Sequence, residues 1–166
     1  MSECRTAFIT GINGQDGSYL TQLLLEKGYH VVGLVRRLSV PESQTSRLEE
    51  AGVYPDPNLK LEYGDLTDQS SLMRLLNKYK PHEIYNLAAQ SHVRVSFDAP
   101  QFTTDVIAMG TLNLLEAIRE CCPEAKMYQA GSSEMFGNSI DVDGFQRETT
   151  PMVPVSPYGC AKVYAH

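Results

Sequence analysis

Short apolar runs and segments of helical periodicity alternate along the whole chain. Five apolar or alternating segments predict strands, at 7–9, 30–35, 59–63, 83–87 and 126–130. Leucines on one helix face at 20–25 and 72–76, and a longer helical pattern over 98–122, predict helices between them. Strands that alternate with helices are typical of a doubly wound parallel sheet, so the predicted fold class is α/β.

Turn residues mark where these helices begin and end. Gly28 is expected to end the first helix, and Pro81 and Pro123 are expected to end the later ones. Thr67 or Asp68 can serve as the N-cap of the helix that carries the 72–76 leucines. These signals fix the order of the elements.

The helix predicted over 98–122 is the longest in the chain and has Pro100 in its first turn. Its apolar stripe is predicted to lie in the core, and comprises Val106, Met109, Leu112, Leu115 and Ile118. The segment 38–57 has weak periodicity, and only 46–51 is expected to form a short helix there.

Composition indicates an ordinary soluble domain. The chain has 166 residues, 42% of them hydrophobic and 20% charged, which is enough for one domain with a real core. The net charge of −6 argues against a nucleic-acid surface. No apolar run has the length of a membrane span or of a signal peptide, so a cytoplasmic protein is expected. The four cysteines show no metal-binding spacing and are interpreted as reduced thiols.

A glycine-rich segment joins the first strand to the first helix. Gly11, Gly14 and Gly17 are three residues apart. Glycines allow a tight turn and close approach of the backbone, and the helix N-terminus offers free N–H groups to a pyrophosphate. The pattern predicts a dinucleotide site, and an ordinary tight turn is the alternative.

Arg36 and Arg37 follow the second strand, where the adenine ribose of a bound dinucleotide lies. An acidic residue there would bind the 2′-hydroxyl of NAD, whereas arginine accommodates the 2′-phosphate of NADP. No acid is present at this position, so NADP is the predicted cofactor. A solvated basic pair at a strand end is the alternative.

Polar and small residues follow the third and fourth strands. Asp65 lies at a carboxyl end of the sheet and could bind the adenine amine, with a plain turn role as the alternative. The alanines after the fourth strand, Ala88 and Ala89, would let a cofactor approach closely. His92 is isolated, and a structural hydrogen bond is favoured over catalysis.

Tyr158 and Lys162 are four residues apart in a segment that begins another helix, so they lie on one face about a turn apart. A lysine ammonium beside a phenol favours the phenolate. Such a tyrosine can remove a proton from a sugar hydroxyl while a hydride leaves the carbon. Ser132, after the fifth strand, can hydrogen-bond the same hydroxyl.

The motifs that carry a family resemblance span the chain from end to end. They are Thr10-Gly11-x-x-Gly14-x-x-Gly17, Gly64-Asp65-Leu66, Asn86-Leu87-Ala88-Ala89 and Tyr158-x-x-x-Lys162. The chain resembles the extended short-chain dehydrogenase/reductases that act on nucleotide sugars. Within that group, it is most similar to the GDP-mannose 4,6-dehydratases at 14–20, 35–37, 85–87, 91–93, 105–111 and 133–134. Two departures are local: 38–57 lacks an expected Ser/Asn-rich stretch, and Ser132 replaces the usual threonine but keeps the hydroxyl.

The resemblance implies an NADP-dependent lyase that acts on GDP-mannose and assembles as a homo-oligomer. It implies catalytic roles for Ser132, Glu134, Tyr158 and Lys162, and substrate contacts by Ser91, Ser132, Ser133 and Glu134. The cofactor residues that it implies, beside Tyr158 and Lys162, are Gly11, Asn13, Gly14, Gln15, Asp16, Gly17, Arg36, Arg37, Asp65, Leu66, Leu87, Ala88 and Ala89.

Glu134 is the residue that separates a dehydratase from an epimerase. A dehydratase must remove the C5 proton and expel the C6 hydroxyl, which requires a carboxylate beside the tyrosine. The alternative is a carboxylate stabilised at a helix start. An NADP-dependent epimerase or reductase would not need Glu134, and a non-catalytic dinucleotide-binding protein would not need Tyr158 and Lys162. A structural interaction protein would need none of these features.

Family members continue beyond the position that corresponds to His166, with a sixth strand and a substrate domain. We therefore expect residues 1–166 to be an incomplete NAD(P)-binding Rossmann-like domain that is inactive by itself.

Overall fold

The computed structural model describes residues 4–36 and 45–166. Its strands are β1 (Thr6–Thr10), β2 (His30–Val35), β3 (Leu59–Tyr63), β4 (Glu83–Asn86) and β5 (Lys126–Gln129). Its α-helices are α1 (Gln15–Glu26), α2 (Ser46–Glu50), α3 (Gln69–Tyr79), α4 (Val93–Asp98), α5 (Pro100–Thr104), α6 (Gly110–Cys121) and α7 (Pro157–Ala165). A π-helical turn, Asp105–Met109, joins α5 to α6, and a 3₁₀ turn, Ser133–Met135, follows β5.

The five strands form one parallel sheet in the order β3-β2-β1-β4-β5. The chain runs from β1 outward to β3 and then returns to the other side of β1. The strand order therefore reverses between β1 and β4, and ligands of open α/β sheets bind at the carboxyl edge of such a reversal. The predicted α/β class and doubly wound parallel sheet are confirmed.

Alternate residues of β1 serve the two faces of the sheet. Phe8 belongs to a buried cluster with side chains of α3 and α6, whereas Ala7 and Ile9 belong to one with side chains of α1 and α2. The central strands β1 and β2 are buried on both faces because the connecting helices cover them, whereas β3 and β5 at the sheet edges are partly exposed. The carboxyl edge is thus held between two packed layers.

The predicted helix ends are mostly confirmed. Gly28 follows α1 with a φ of +79°, which ends the helix at low steric cost. Asp68, rather than Thr67, caps α3, since its carboxylate accepts from the N–H groups of Ser70 and Ser71. Hydrogen bonding, first from the Ser70 hydroxyl, lowers the pKa of Asp68.

The stripe predicted to be core in the longest helical segment is partly wrong. Val106 and Ile118 are buried, but Met109 and Leu115 are 43% and 47% exposed. A step of three residues turns a helix by only about 300°, so a strict three-residue stripe winds away from the sheet. The buried face runs instead through residues such as Ile107, Leu114 and Ala117. The segment also differs in starting at Pro100, after the separate helix α4.

All four cysteines are free in the structure. Within residues 4–36 and 45–166, no helix combines the length and the apolar character needed to cross a membrane. The same residues contain no cluster of three or more His, Cys, Asp or Glu side chains arranged to hold a metal ion.

Candidate active site

The turn between β1 and α1 leaves no room for a side chain at two of its glycines. Gly11 has a φ of +70°, and a Cβ there would lie 2.8 Å from the Ala88 nitrogen. A Cβ on Gly17 would lie 2.3 Å from the Gly11 carbonyl oxygen, so glycine lets α1 pack directly on the turn. Gly14 is the N-cap of α1. The turn therefore combines close backbone approach with a helix N-terminus, as a pyrophosphate site requires.

A cleft of about 670 Å³ opens beside this turn at the carboxyl edge of the sheet. Nine of the predicted cofactor residues line it, namely Gly11, Asn13, Gly14, Arg36, Asp65, Leu66, Leu87, Ala88 and Ala89. Ser91, predicted to contact substrate, also lines the cleft. Gln15, Asp16 and Gly17 form the first turn of α1 and are not part of the lining. Arg37 lies outside the described residues.

Asp65 is held in a turn at the edge of the cleft. It lines the cleft, and its Oδ1 accepts from the Thr67 N–H at 2.9 Å and from the Thr67 hydroxyl at 2.8 Å. These bonds make an Asx-type turn that holds the carboxylate at the end of β3.

A buried polar network fixes the strand ends beneath the cleft. The Thr10 hydroxyl donates to Asn86 Oδ1 at 2.6 Å and accepts from the Ala88 N–H at 3.1 Å. Asn86 Nδ2 donates to Gln129 Oε1 at 2.8 Å and to the Thr111 hydroxyl at 3.3 Å. The network therefore ties β1, β4, β5 and α6 together where the cofactor motifs meet. Sequence reasoning gave Asn86 only a motif position.

His92 precedes α4 and is exposed. Its N–H donates to Gln90 Oε1 at 2.7 Å, and its carbonyl accepts from Gln90 Nε2 at 3.1 Å. The described hydrogen bonds of His92 are therefore structural, but its backbone makes them and not its imidazole.

Tyr158 and Lys162 lie on α7, which begins with Ser156 as its N-cap and Pro157 in its first turn. The Ser156 hydroxyl accepts from the Gly159 N–H at 3.0 Å. Lys162 is only 4% exposed, its Nζ donates to the Ala130 carbonyl at 2.8 Å, and burial lowers its pKa. That ammonium lies 5.9 Å from the centre of the Tyr158 ring. One helix thus presents both side chains, as the four-residue spacing predicts.

Glu134 lies against the start of α7. Its Oε2 accepts from the Ser156 hydroxyl at 3.4 Å, and its N–H donates to Ser132 Oγ at 3.2 Å. A Cβ on Gly159 would lie 2.6 Å from the Glu134 carbonyl oxygen, so glycine there lets the 3₁₀ turn and α7 touch. Ser132 and Glu134 are half-buried, whereas Ser133 between them is exposed.

The structure brings these catalytic candidates together next to the cleft rather than in its lining. Tyr158 packs in a small apolar cluster with Ile107, Ala108 and Ala161, and Ala89 of the cleft packs against that cluster. Ala89 therefore links the dinucleotide cleft to the Tyr158 region.

Sequence reasoning missed several residues of the cleft. They include Ser46 and Arg47 of α2, Gln90, Phe102 and Leu34. Arg47 Nη1 donates to the Asn13 carbonyl at 3.3 Å, across 34 residues of sequence. No local pattern signals such a contact, although an arginine in an otherwise weakly patterned segment is a hint.

Solved structures share this fold over nearly the whole chain. The crystal structure of a dTDP-glucose 4,6-dehydratase from Streptomyces venezuelae, with NAD and TYD bound, matches with a TM-score of 0.82 at 28% identity, covering 96% of this chain and 49% of that one. A UDP-glucose 4-epimerase from Thermus thermophilus, in complex with NAD, matches with a TM-score of 0.80 at 26% identity and covers 96% of this chain and 48% of that one.

Curated proteins found by sequence similarity share a higher identity with this chain than these solved structures do. GDP-mannose 4,6 dehydratase of Cricetulus griseus is 51% identical over 98% of this chain and 44% of its own length. GDP-mannose 4,6 dehydratase 1 of Arabidopsis thaliana is 54% identical over 98% of this chain and 46% of its own length. The chain thus spans less than half the length of these relatives.

The family described as GDP-mannose 4,6 dehydratase matches residues 8–166, which include the glycine turn, the cleft and the Glu134, Tyr158 and Lys162 cluster. The chain therefore belongs to the GDP-mannose 4,6 dehydratase family.

Proposed function

We propose that the full-length protein converts GDP-mannose to GDP-4-keto-6-deoxymannose and uses NADP as its cofactor. The observation that carries this proposal is the position of Glu134, bonded to the cap of the helix that presents Tyr158 and Lys162. Oxidation and reduction at C4 need a tyrosine and a lysine, whereas loss of water from C5 and C6 also needs a carboxylate base. The relatives at about 50% identity are named as dehydratases, which supports the same reaction.

The cleft fits a dinucleotide. Its glycine turn excludes side chains at Gly11 and Gly17, and α1 starts beside it. Gly14, Asn13 and the first amides of α1 would hold the pyrophosphate, and the small side chains of Ala88 and Ala89 line the cleft after β4. Arg36 at the end of β2 supports NADP in preference to NAD.

A bound nicotinamide would supply reversible hydride transfer, from C4 of the sugar at first and back to C6 at the end. Tyr158 would take the C4 hydroxyl proton as the hydride leaves, and the Ser132 hydroxyl would hold the same oxygen. Lys162, fixed on the Ala130 carbonyl, would keep a positive charge near the phenol and reach the nicotinamide ribose. These residues set up a C4 ketone.

The C4 ketone acidifies the neighbouring C5–H bond. Glu134 would accept that proton and return it to the C6 hydroxyl, which would leave as water. Hydride returned to C6 would complete the methyl group, and a proton added at C5 would restore the C5–H bond and account for the proton taken from the C4 hydroxyl. The cofactor ends as it began, so the net change is the loss of one water and the reaction is that of a lyase. Assembly as a homo-oligomer and a cytoplasmic location stay predictions.

The test compares the full-length protein with its Glu134→Gln variant in the presence of GDP-mannose and NADP. The variant should still oxidise C4, so reduced nicotinamide should accumulate, and this is measured by its absorbance. Formation of the dehydrated product, followed by mass spectrometry, should fall roughly 10²–10⁴-fold, the usual contribution of a general base. Glutamine preserves the side-chain shape and can still accept from Ser156.

Glu148→Gln is the matched control, because Glu148 is an exposed glutamate in the loop before α7. It should turn over at the normal rate. Normal product from Glu134→Gln would exclude Glu134 as the base. A C4 epimer of unchanged mass from the wild-type protein would refute the dehydratase and favour an epimerase.

A further inference from the structure

Helix α2 brings a second arginine to the adenosine end of the cleft. Leu48 anchors the helix, since it is fully buried in the cluster that also contains Ile12 of the glycine turn. The preceding residue, Arg47, lines the cleft, and its Nη1 donates to the Asn13 carbonyl at 3.3 Å. The position of Arg47 is therefore set by packing on one side and by the glycine turn on the other.

The charges that line the cleft are unusual for so acidic a chain. The protein has a net charge of −6, yet the charged residues among the described cleft lining are Arg36, Arg47 and one acid, Asp65. Both arginines lie where the turn after β1 meets the end of β2, because these strands are neighbours in the sheet. Asp65 belongs to the next strand outward, β3.

Arg47 has donors to spare at this place. A guanidinium carries five N–H groups, and within residues 4–36 and 45–166 its one hydrogen bond is the long contact to Asn13. A neutral carbonyl at 3.3 Å uses little of the capacity of a group that binds phosphate through paired, charge-assisted bonds. The α1 amides already supply donors for the pyrophosphate. In such folds the 2′ position of the adenine ribose lies at the end of the second strand, which here is followed by Arg36, and Arg47 lines the same cleft.

We propose that Arg47 binds the 2′-phosphate of NADP together with Arg36 and is a determinant of the preference for NADP over NAD. This inference rests on the proposed function, since it deepens the role of the same dinucleotide cleft. Arg47 and Arg36 reach the phosphate from two different elements, so the site would form only when α2 is packed on the glycine turn.

Calorimetric titration of the full-length protein with NADP and with NAD tests the proposal without relying on turnover. Arg47→Ala should weaken NADP binding about tenfold or more and change NAD binding less than about twofold, as loss of a charge-assisted bond to phosphate predicts. Arg47→Lys, which keeps the charge, should lose less NADP affinity than Arg47→Ala. Adenosine 2′,5′-bisphosphate should show the same loss as NADP, and adenosine 5′-monophosphate should show none.

Arg74→Ala is the matched control, because Arg74 is also exposed, also donates to one backbone carbonyl, that of Tyr63 at 3.2 Å, and is absent from the cleft lining. It removes the same net charge and should leave both affinities unchanged. Thermal melting of each variant separates loss of fold from loss of binding, and Arg47→Lys provides the affinity comparison if Arg47→Ala does not fold.

The outcomes distinguish this inference from the proposed function. An equal loss of affinity for NADP and NAD would mean that Arg47 binds a group that both dinucleotides share. No loss of affinity for either would leave Arg47 a purely structural residue. Both results would overturn the inference. Preference of the wild-type protein for NAD would also overturn it while leaving a dinucleotide site. Binding of neither dinucleotide by the wild-type protein would overturn the proposed cofactor site, and the inference with it.

Discussion

Replacing Asn86 should destabilise the protein through the groups that it leaves without partners. Asn86→Leu removes the acceptor of the Thr10 hydroxyl and the donor to Thr111, both in buried residues. A buried polar group left unpaired costs about 1–3 kcal/mol. Gln129 is partly exposed and can bond water instead. With two such groups, the expected loss in the free energy of unfolding is about 2–6 kcal/mol, toward the upper part of that range because the 2.6 Å bond to Thr10 is short.

A double-mutant cycle tests whether the Thr10–Asn86 bond is the cause. Thr10→Val keeps the shape of Thr10 but removes its hydroxyl, so it leaves Asn86 Oδ1 and the Ala88 N–H unpaired. The double variant lacks both partners of this bond, so neither is left unpaired by the loss of the other. The double variant should thus lose less than the sum of the single losses, by about 1–3 kcal/mol.

Urea unfolding followed by circular dichroism measures all four proteins, with equal slopes required for the comparison. Thr21→Val combined with Asn86→Leu is the control cycle, because Thr21 is also fully buried but bonds the Gly17 carbonyl within α1. That pair should be additive within about 0.5 kcal/mol. Additivity of the Thr10 and Asn86 losses within the same margin would refute the reasoning, whatever the size of the single losses.

Two further predictions concern the glycine turn and the pH dependence of stability. Gly17→Ala should lower the free energy of unfolding by about 1–3 kcal/mol, since its Cβ would lie 2.3 Å from a backbone oxygen. Gly131→Ala is the control, because the Cβ there would meet only the flexible end of a methionine side chain. Melting temperatures that fall equally in both variants would contradict the steric explanation. Hydrogen bonding, first from Lys78, lowers the pKa of Glu62 below its usual 4.5, so the stability that Glu62 contributes is present above that value and is lost as the pH falls through the lowered pKa. Glu62→Gln should therefore be less stable than wild type near neutral pH, and its free energy of unfolding should approach that of wild type in acid. Urea titrations that show the same stability difference at neutral and acidic pH would contradict the contribution of the Glu62–Lys78 pair.

The sequence by itself determined the features that depend on neighbours along the chain. Strand and helix order follow from the period of the apolar residues, and the Gly11 turn follows from glycine spacing. The shared face of Tyr158 and Lys162 follows from the helical repeat, because four residues make about one turn wherever the helix is placed. The family motifs predicted the same site because they consist of such local segments.

Only the tertiary structure decided which distant segments meet. The bond between Thr10 and Asn86 joins residues 76 positions apart, and Arg47 reaches the glycine turn only because Leu48 is packed beneath it. Met109 is exposed for the same kind of reason, since the side of a helix that faces the sheet depends on its rotation against the strands. Parallel strands are joined by long crossovers, so their carboxyl ends meet through packing of the whole sheet and not through any local pattern.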